Sequence, residues 1–102
     1  MNDDTSIGAR LFVGNLNFKM DDNALREMVG RITSVMPENV ARAEIMRDRE
    51  SGHSRGFGFV ELASADEARR ALSELDGTEV MGRRLRVQMA KPRINAMRRH
   101  TI

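Results

Sequence analysis

Three of the four phenylalanines in this 102-residue chain fall in two short strand-like segments, Phe12 in LFVGNL (residues 11–16) and Phe57 and Phe59 in RGFGFVEL (residues 55–62). The chain has no Trp and no Tyr, so these rings are most of its aromatic surface. Side chains alternate faces along a strand, which groups Arg10, Phe12 and Gly14 on one side and Leu11, Val13 and Asn15 on the other. In the second segment Arg55, Phe57, Phe59 and Glu61 share one face, and Gly56, Gly58, Val60 and Leu62 the opposite one. The aliphatic residues take the inward positions. If the two strands are neighbours, three rings share a surface with Arg10 and Arg55, and flat rings beside cations suit unpaired nucleobases and phosphates. The alternative is a strand pair whose Phe face is covered by a helix.

The two segments resemble the paired signature motifs of the RNA recognition motif family. The shorter fits as Leu11, Phe12, Val13, Gly14, Asn15, Leu16, and the longer as Arg55, Gly56, Phe57, Gly58, Phe59, Val60. The longer one departs at its last position, where Leu62 stands in place of a frequent aromatic; that side chain points inward, so the departure concerns packing. The resemblance covers roughly residues 10–91. It implies that Phe12 and Phe57 each stack on a base, that Phe59 lies against riboses and that Arg55 pairs with a phosphate. Arg86, Gln88 and Lys91 match positions that read base edges or backbone in the family, and Arg10 and Asn15 complete the expected RNA-binding set.

These side chains need a sheet to position them. The segment DDNALREMVGRITSV carries Leu25, Met28, Val29, Ile32 and Val35 or Met36 at helical spacing, with Asp21 or Asp22 as N-cap, and predicts a helix over about residues 22–35 that Pro37 ends. NVARAEIMRD predicts a strand over about residues 40–47, although its alternation is imperfect. RDRESGHSR reads as an exposed hairpin loop in which Gly52 supplies a left-handed position. In SADEARRALSELDG, Ser64 and Glu67 form a capping box, Ala68, Ala71, Leu72 and Leu75 an apolar stripe, and Gly77 a stop. Residues 80–82 read as a turn and Arg83 to Met89 as a last strand, with Leu85 and Val87 inward and Arg86 and Gln88 on the aromatic side. Phe18 is expected to plug the core edge below the first helix.

The order β-α-β-β-α-β predicts an α+β, ferredoxin-like sandwich: a four-stranded antiparallel sheet in the order 4-1-3-2 with both helices on one face. The strands bearing Phe12 and Phe57 are then central neighbours. Residues 28–43 are about five residues longer than is usual in the family, which implies an extended first helix or a longer loop. The expected organisation is a flexible N-terminus (1–9), one domain (10–91) and a basic C-terminal tail (92–102).

Composition narrows the function further. A net charge of +2 conceals ten basic against fifteen acidic residues over 1–82 and seven basic with none acidic over 83–102, so cations gather at the C-terminal end, as binding to a polyanion requires. With no cysteine, disulfides and thiolate metal sites are excluded. His53 and His100 lie apart from any nucleophile, and Gly56 and Gly58 lack the third glycine and the strand-to-helix turn of a dinucleotide fingerprint. No enzyme, metal or cofactor is expected. The acidic segment MNDDTSIGAR and the absence of a long apolar run suggest a cytoplasmic protein without membrane contact. Single-stranded RNA is the expected partner of a monomeric chain; single-stranded DNA and a protein-interaction role for the same fold are the alternatives. Glu44 and Glu61 fall on the ring side, either at a watery sheet margin or as acceptors for base amino groups. In the tail, Ile94 and Met97 allow a short helix or disorder.

Overall fold

The computed structural model describes residues 9–91. The basic tail and residues 1–8 lie outside the described residues. Ala9, placed by the sequence in the flexible N-terminus, is buried, and its carbonyl accepts from Leu62 N at 2.8 Å. The elements in chain order are β1 (Arg10–Gly14), α1 (Asp22–Ile32), a 3-10 turn (Pro37–Asn39), β2 (Val40–Arg47), β3 (Ser54–Leu62), α2 (Ala65–Leu75), β4 (Glu79–Val80), β5 (Arg83–Arg84) and β6 (Arg86–Ala90).

Alternation decides which side of the sheet is buried. Leu11 and Val13 of β1, Val60 and Leu62 of β3 and Val87 of β6 meet Leu25, Met28 and Val29 of α1 and Ala68, Ala71 and Leu75 of α2 in one core. The main sheet is antiparallel, in the order β2-β3-β1-β6, which is the predicted 4-1-3-2 arrangement with β6 as the fourth strand. β1 is central, pairing Phe12 with Phe59 on one side and with Gln88 on the other. The imperfect alternation of β2 is resolved by a register shift between Val40 and Arg42. Such an irregularity lets two residues oppose one and re-phases the strand. Val40 and Ile45, an odd number of residues apart, are therefore both buried.

Asp21 is the N-cap of α1, its Oδ1 accepting from Ala24 N at 2.8 Å, while Asp22 instead ties the helix to the sheet by accepting from Ile45 N at 2.8 Å. The helix ends at Ile32, three residues before the predicted end. Thr33 stops it: its backbone is extended, and both its N–H and its hydroxyl donate to Val29 O, at 3.0 and 2.7 Å. Ser34 then donates from its backbone N–H to Glu74 Oε1 of α2 at 2.7 Å, and Val35 drops into the core. The segment between α1 and β2 is thus a loop with a 3-10 turn at Pro37–Asn39, and not an extension of the helix. Ser64 caps α2 through Glu67 N, but Glu67 does not reach back as a capping box requires; its Oε2 accepts from Asn39 Nδ2 at 2.8 Å.

The predicted last strand, Arg83 to Met89, is broken at Leu85. β4 and β5 form a separate two-stranded hairpin whose connecting residues, Met81 and Gly82, both have positive φ, as the tight hairpin turn demands. Leu85 joins this hairpin to the domain, its N–H donating to Thr78 O and its carbonyl accepting from Gly77 N, both at 2.9 Å, with its side chain in the core. Among the described residues, no helix is long and apolar enough to cross a membrane.

Two substitutions test this framework. A Cβ on Gly58 would stand 2.5 Å from the Glu44 carbonyl oxygen and 3.1 Å from Ile45 Cα, backbone atoms that cannot withdraw without parting β2 from β3. Gly58→Ala is expected to destabilise the domain by about 1–3 kcal/mol, read as a lower midpoint in urea unfolding. Asp21→Ala, which removes only a cap, is expected to cost about 0.5–2 kcal/mol in the same measurement.

Candidate nucleic-acid interface

The sheet face opposite the helices carries the three rings together. Phe12 lies 5.5 Å from Phe57 and 5.9 Å from Phe59 between ring centroids, and Phe57 and Phe59 are 6.1 Å apart. The cross-strand register causes this: Phe12 is directly opposite Phe59, and Gly14 directly opposite Phe57. All three rings are partly exposed, and among the described residues no helix covers them. The absence of a side chain at Gly14 matters because a Cβ there would stand 2.8 Å from the Phe12 ring, which lies across that position.

The rings are not equivalent. Phe12 and Phe57 are tilted by only 36° to one another and form adjacent platforms. Phe59 stands nearly edge-on to both, at 66° and 86°, and the Arg10 guanidinium carbon lies 4.0 Å from its centroid, a cation–π distance. Arg10 is further held by Glu61, with Nε 3.7 Å from Oε2, and by the Lys91 carbonyl at 3.1 Å. One face of Phe59 is therefore shared with a guanidinium already engaged by its neighbours.

The other sequence-predicted residues distribute around the rings. Arg55 is exposed, with its guanidinium carbon 5.4 Å from the Phe57 centroid. Arg86 lies across from Gly14 and Gln88 across from Phe12 on β6, both exposed, and Lys91 is exposed just past the end of that strand. Asn15 lies just past the end of β1 and is exposed. It has left the strand at φ 61°, its Nδ2 donates to Arg84 O at 2.8 Å, and its Oδ1 accepts from Arg83 Nη2 at 2.8 Å. Its amide organises the β4–β5 hairpin and holds Arg83.

Glu44 is directly opposite Phe59 and so lies on the ring side of edge strand β2, with Arg42 Nε 3.8 Å from its Oε1. Glu61 and Glu44 thus each have an arginine beside them, which tempers their repulsion toward a polyanion. The Arg42–Glu44 pair is about half exposed, and pairs of this kind are worth only about 0–1 kcal/mol, so Arg42 can exchange partners cheaply.

Phe18 departs from expectation. It does not plug the core edge; it is 64% exposed. The core position below α1 is taken instead by Met20, which is buried. Phe18 lies against Gly56, where a Cβ would approach its Cε1 to 2.8 Å, and Arg83 stands 5.8 Å from its ring centroid. Neither Phe18 nor Arg83 stood out by spacing, although Phe18 sits between polar Asn17 and Lys19, a poor setting for a core residue. Among the described residues, no cluster of acidic or histidine side chains is arranged to hold a metal ion.

Comparison with known proteins agrees with the geometry. The sequence profile described as RNA recognition motif matches residues 11–86. The chain is 41% identical over 92 residues to glycine-rich RNA-binding protein 4, mitochondrial, of Arabidopsis thaliana, a match covering 90% of this chain and 64% of that protein's length. Among solved structures, RNA binding protein PG1 superposes with a TM-score of 0.71 at 39% identity, covering 80% of this chain and 93% of the other. The Sxl-lethal protein/RNA complex superposes at 0.72 and 32% identity, covering 83% and 48% respectively. On its two motifs, its strand order and these matches, the chain belongs to the RNA recognition motif family.

Proposed function

We propose that the chain binds single-stranded RNA on its open sheet face, stacking unpaired bases on Phe12 and Phe57. The observation that carries this is the pair of adjacent, partly exposed rings tilted by only 36°. Rings spent this way are not spent on the core, which the aliphatic residues fill unaided. Phe59, edge-on and beneath Arg10, suits sugar contacts, and Arg55 and Arg86 suit phosphates at the Gly14 end of the platform. Gln88, directly across from Phe12, is placed to read a base edge, and Lys91 supplies charge at the other end. The assigned role is binding, without catalysis.

Each stacked base is worth about 1–3 kcal/mol. Association costs an estimated 4–15 kcal/mol, so two stacks alone give weak binding and the cations are needed to raise it. Stacking and phosphate contact do not sense the 2′-hydroxyl, so discrimination against single-stranded DNA rests on sugar contacts, here assigned to Phe59. The chain acts as a monomer in this proposal. Its cytoplasmic placement is retained against the mitochondrial name of its Arabidopsis relative; imaging of the tagged full chain decides between the two compartments.

Titration against short RNA and DNA oligonucleotides at two salt concentrations tests the proposal. A Phe12→Ala, Phe57→Ala double variant, its fold checked by circular dichroism, is expected to lose at least about 30-fold in RNA affinity, because both stacks go. Undiminished binding by the folded variant would sink the stacking mechanism. For the unsubstituted chain, log affinity is expected to fall with log salt at a slope of about −0.7 per phosphate contact. A slope near zero would remove the arginines from the interface.

A further inference from the structure

The helix side of the domain, away from the rings, carries a groove that RNA binding does not use. It runs along α1, where Ala24, Met28 and Ile32 recur every four residues and so share one face, and it is walled by Val80 of β4 and Met81 of the hairpin turn. Its volume is about 200 Å³. Met81 is 52% exposed and has φ 52°, a left-handed position at which hairpin turns favour Asn, Asp or Gly. Asn17 Nδ2 fixes it there by donating to Met81 O at 3.3 Å. The turn thus holds a long apolar side chain where its own geometry asks for a short one, and an unbranched thioether adapts readily to a partner's surface.

The charges beside the groove give the occupant. Glu27 and Arg31 line it one helical turn apart, and both are exposed. Glu followed by Arg four residues later is the favoured order for an ion pair within a helix. Yet among the described residues neither side chain has an ion pair or a hydrogen bond. An apolar floor flanked by an unpaired carboxylate and an unpaired guanidinium is complementary to an apolar segment that carries one charge of each sign. The volume falls below the roughly 300–1,000 Å³ of small-molecule sites, which leaves room for one or two side chains of another chain. A polyphosphate backbone would meet Glu27 unfavourably.

We propose that this groove docks a short amphipathic segment of another protein, which seats one or two aliphatic side chains between α1 and the hairpin and sets a cation against Glu27 and a carboxylate against Arg31. The surface is separate from the ring face and does not depend on the RNA-binding reading, so RNA and this partner can occupy the domain together.

The probes are synthetic helical peptides of about 15 residues with two leucines four apart, flanked by Lys and Glu, by two Lys or by two Glu. Binding to the full chain is read by fluorescence anisotropy and by the methyl NMR signals of Met20, Met28 and Met81. The Lys and Glu peptide is expected to shift these signals and to bind about two- to tenfold more tightly than the other two, and Glu27→Lys to move the preference to the two-Glu peptide. Met81→Asn, which suits the turn but removes the wall, is expected to lose about 5- to 20-fold in peptide affinity with RNA affinity unchanged and the melting temperature unchanged or raised. Absent peptide binding, equal affinity for all three peptides, or full peptide affinity in Met81→Asn would overturn the proposal. A lowered melting temperature in that variant assigns Met81 to packing and overturns it as well. The methionine signals also separate other occupants: shifts on raising the concentration of the chain, in an Ile94→Asp, Met97→Asp variant, or with RNA while the peptides stay silent give the groove to a second copy, to the chain's own tail or to nucleic acid, and each rejects the proposal.

Discussion

The register between β1 and β3 is the constraint on which both faces of this sheet depend. Pairing Phe12 with Phe59 and Gly14 with Phe57 places Leu11 opposite Val60 on the core side and gathers the rings on the other. A slip of one residue would turn the aliphatic side chains to solvent and the rings to the helices. Core burial, the larger free-energy term, thereby specifies the ring face as a by-product: about 25 cal/mol per Å² of apolar surface acts on the inward residues, and the outward ones follow from the pleat. The platform is thus as stable as the domain, which is the economical way to hold binding groups in place before a ligand arrives.

Glycines supply the close approaches that this arrangement needs. Gly58 lets β2 come against β3, Gly14 lets the Phe12 ring lie along its own strand, and Gly56 receives Phe18. Only Gly56 of these three also needs a left-handed backbone. The motif glycines therefore have separate tasks, one in strand packing, one in ring placement and one in supporting an exposed aromatic outside the platform.

Much of the architecture was legible from the residues. The span 40–47 of β2 follows from its composition and flanking turns, and the aliphatic alternation of β1 and β3 announced which face would be buried. The end of α1 did not, because Thr33 carries a stop signal only when its hydroxyl is known to turn back onto Val29. The break in the last strand was hidden for a similar reason: Arg83 to Met89 alternates acceptably, and it is the pairing of Leu85 with Thr78 and Gly77 that divides it. Glu67 fits a capping box by spacing, yet Asn39, distant in sequence, takes its carboxylate.

By itself the sequence determined the order of elements, the inward and outward sides of the central strands and the presence of three rings on one of them, because these depend on periodicities of two and 3.6 residues and on short-range turn chemistry. Tertiary structure decided the rest. It tilted Phe12 and Phe57 into adjacent platforms while turning Phe59 edge-on beneath Arg10, it spent Asn15 on the hairpin, and it lifted Phe18 out of the core. Each outcome follows from contacts between residues far apart in the chain, where the available space and hydrogen-bond partners are set by the packed whole.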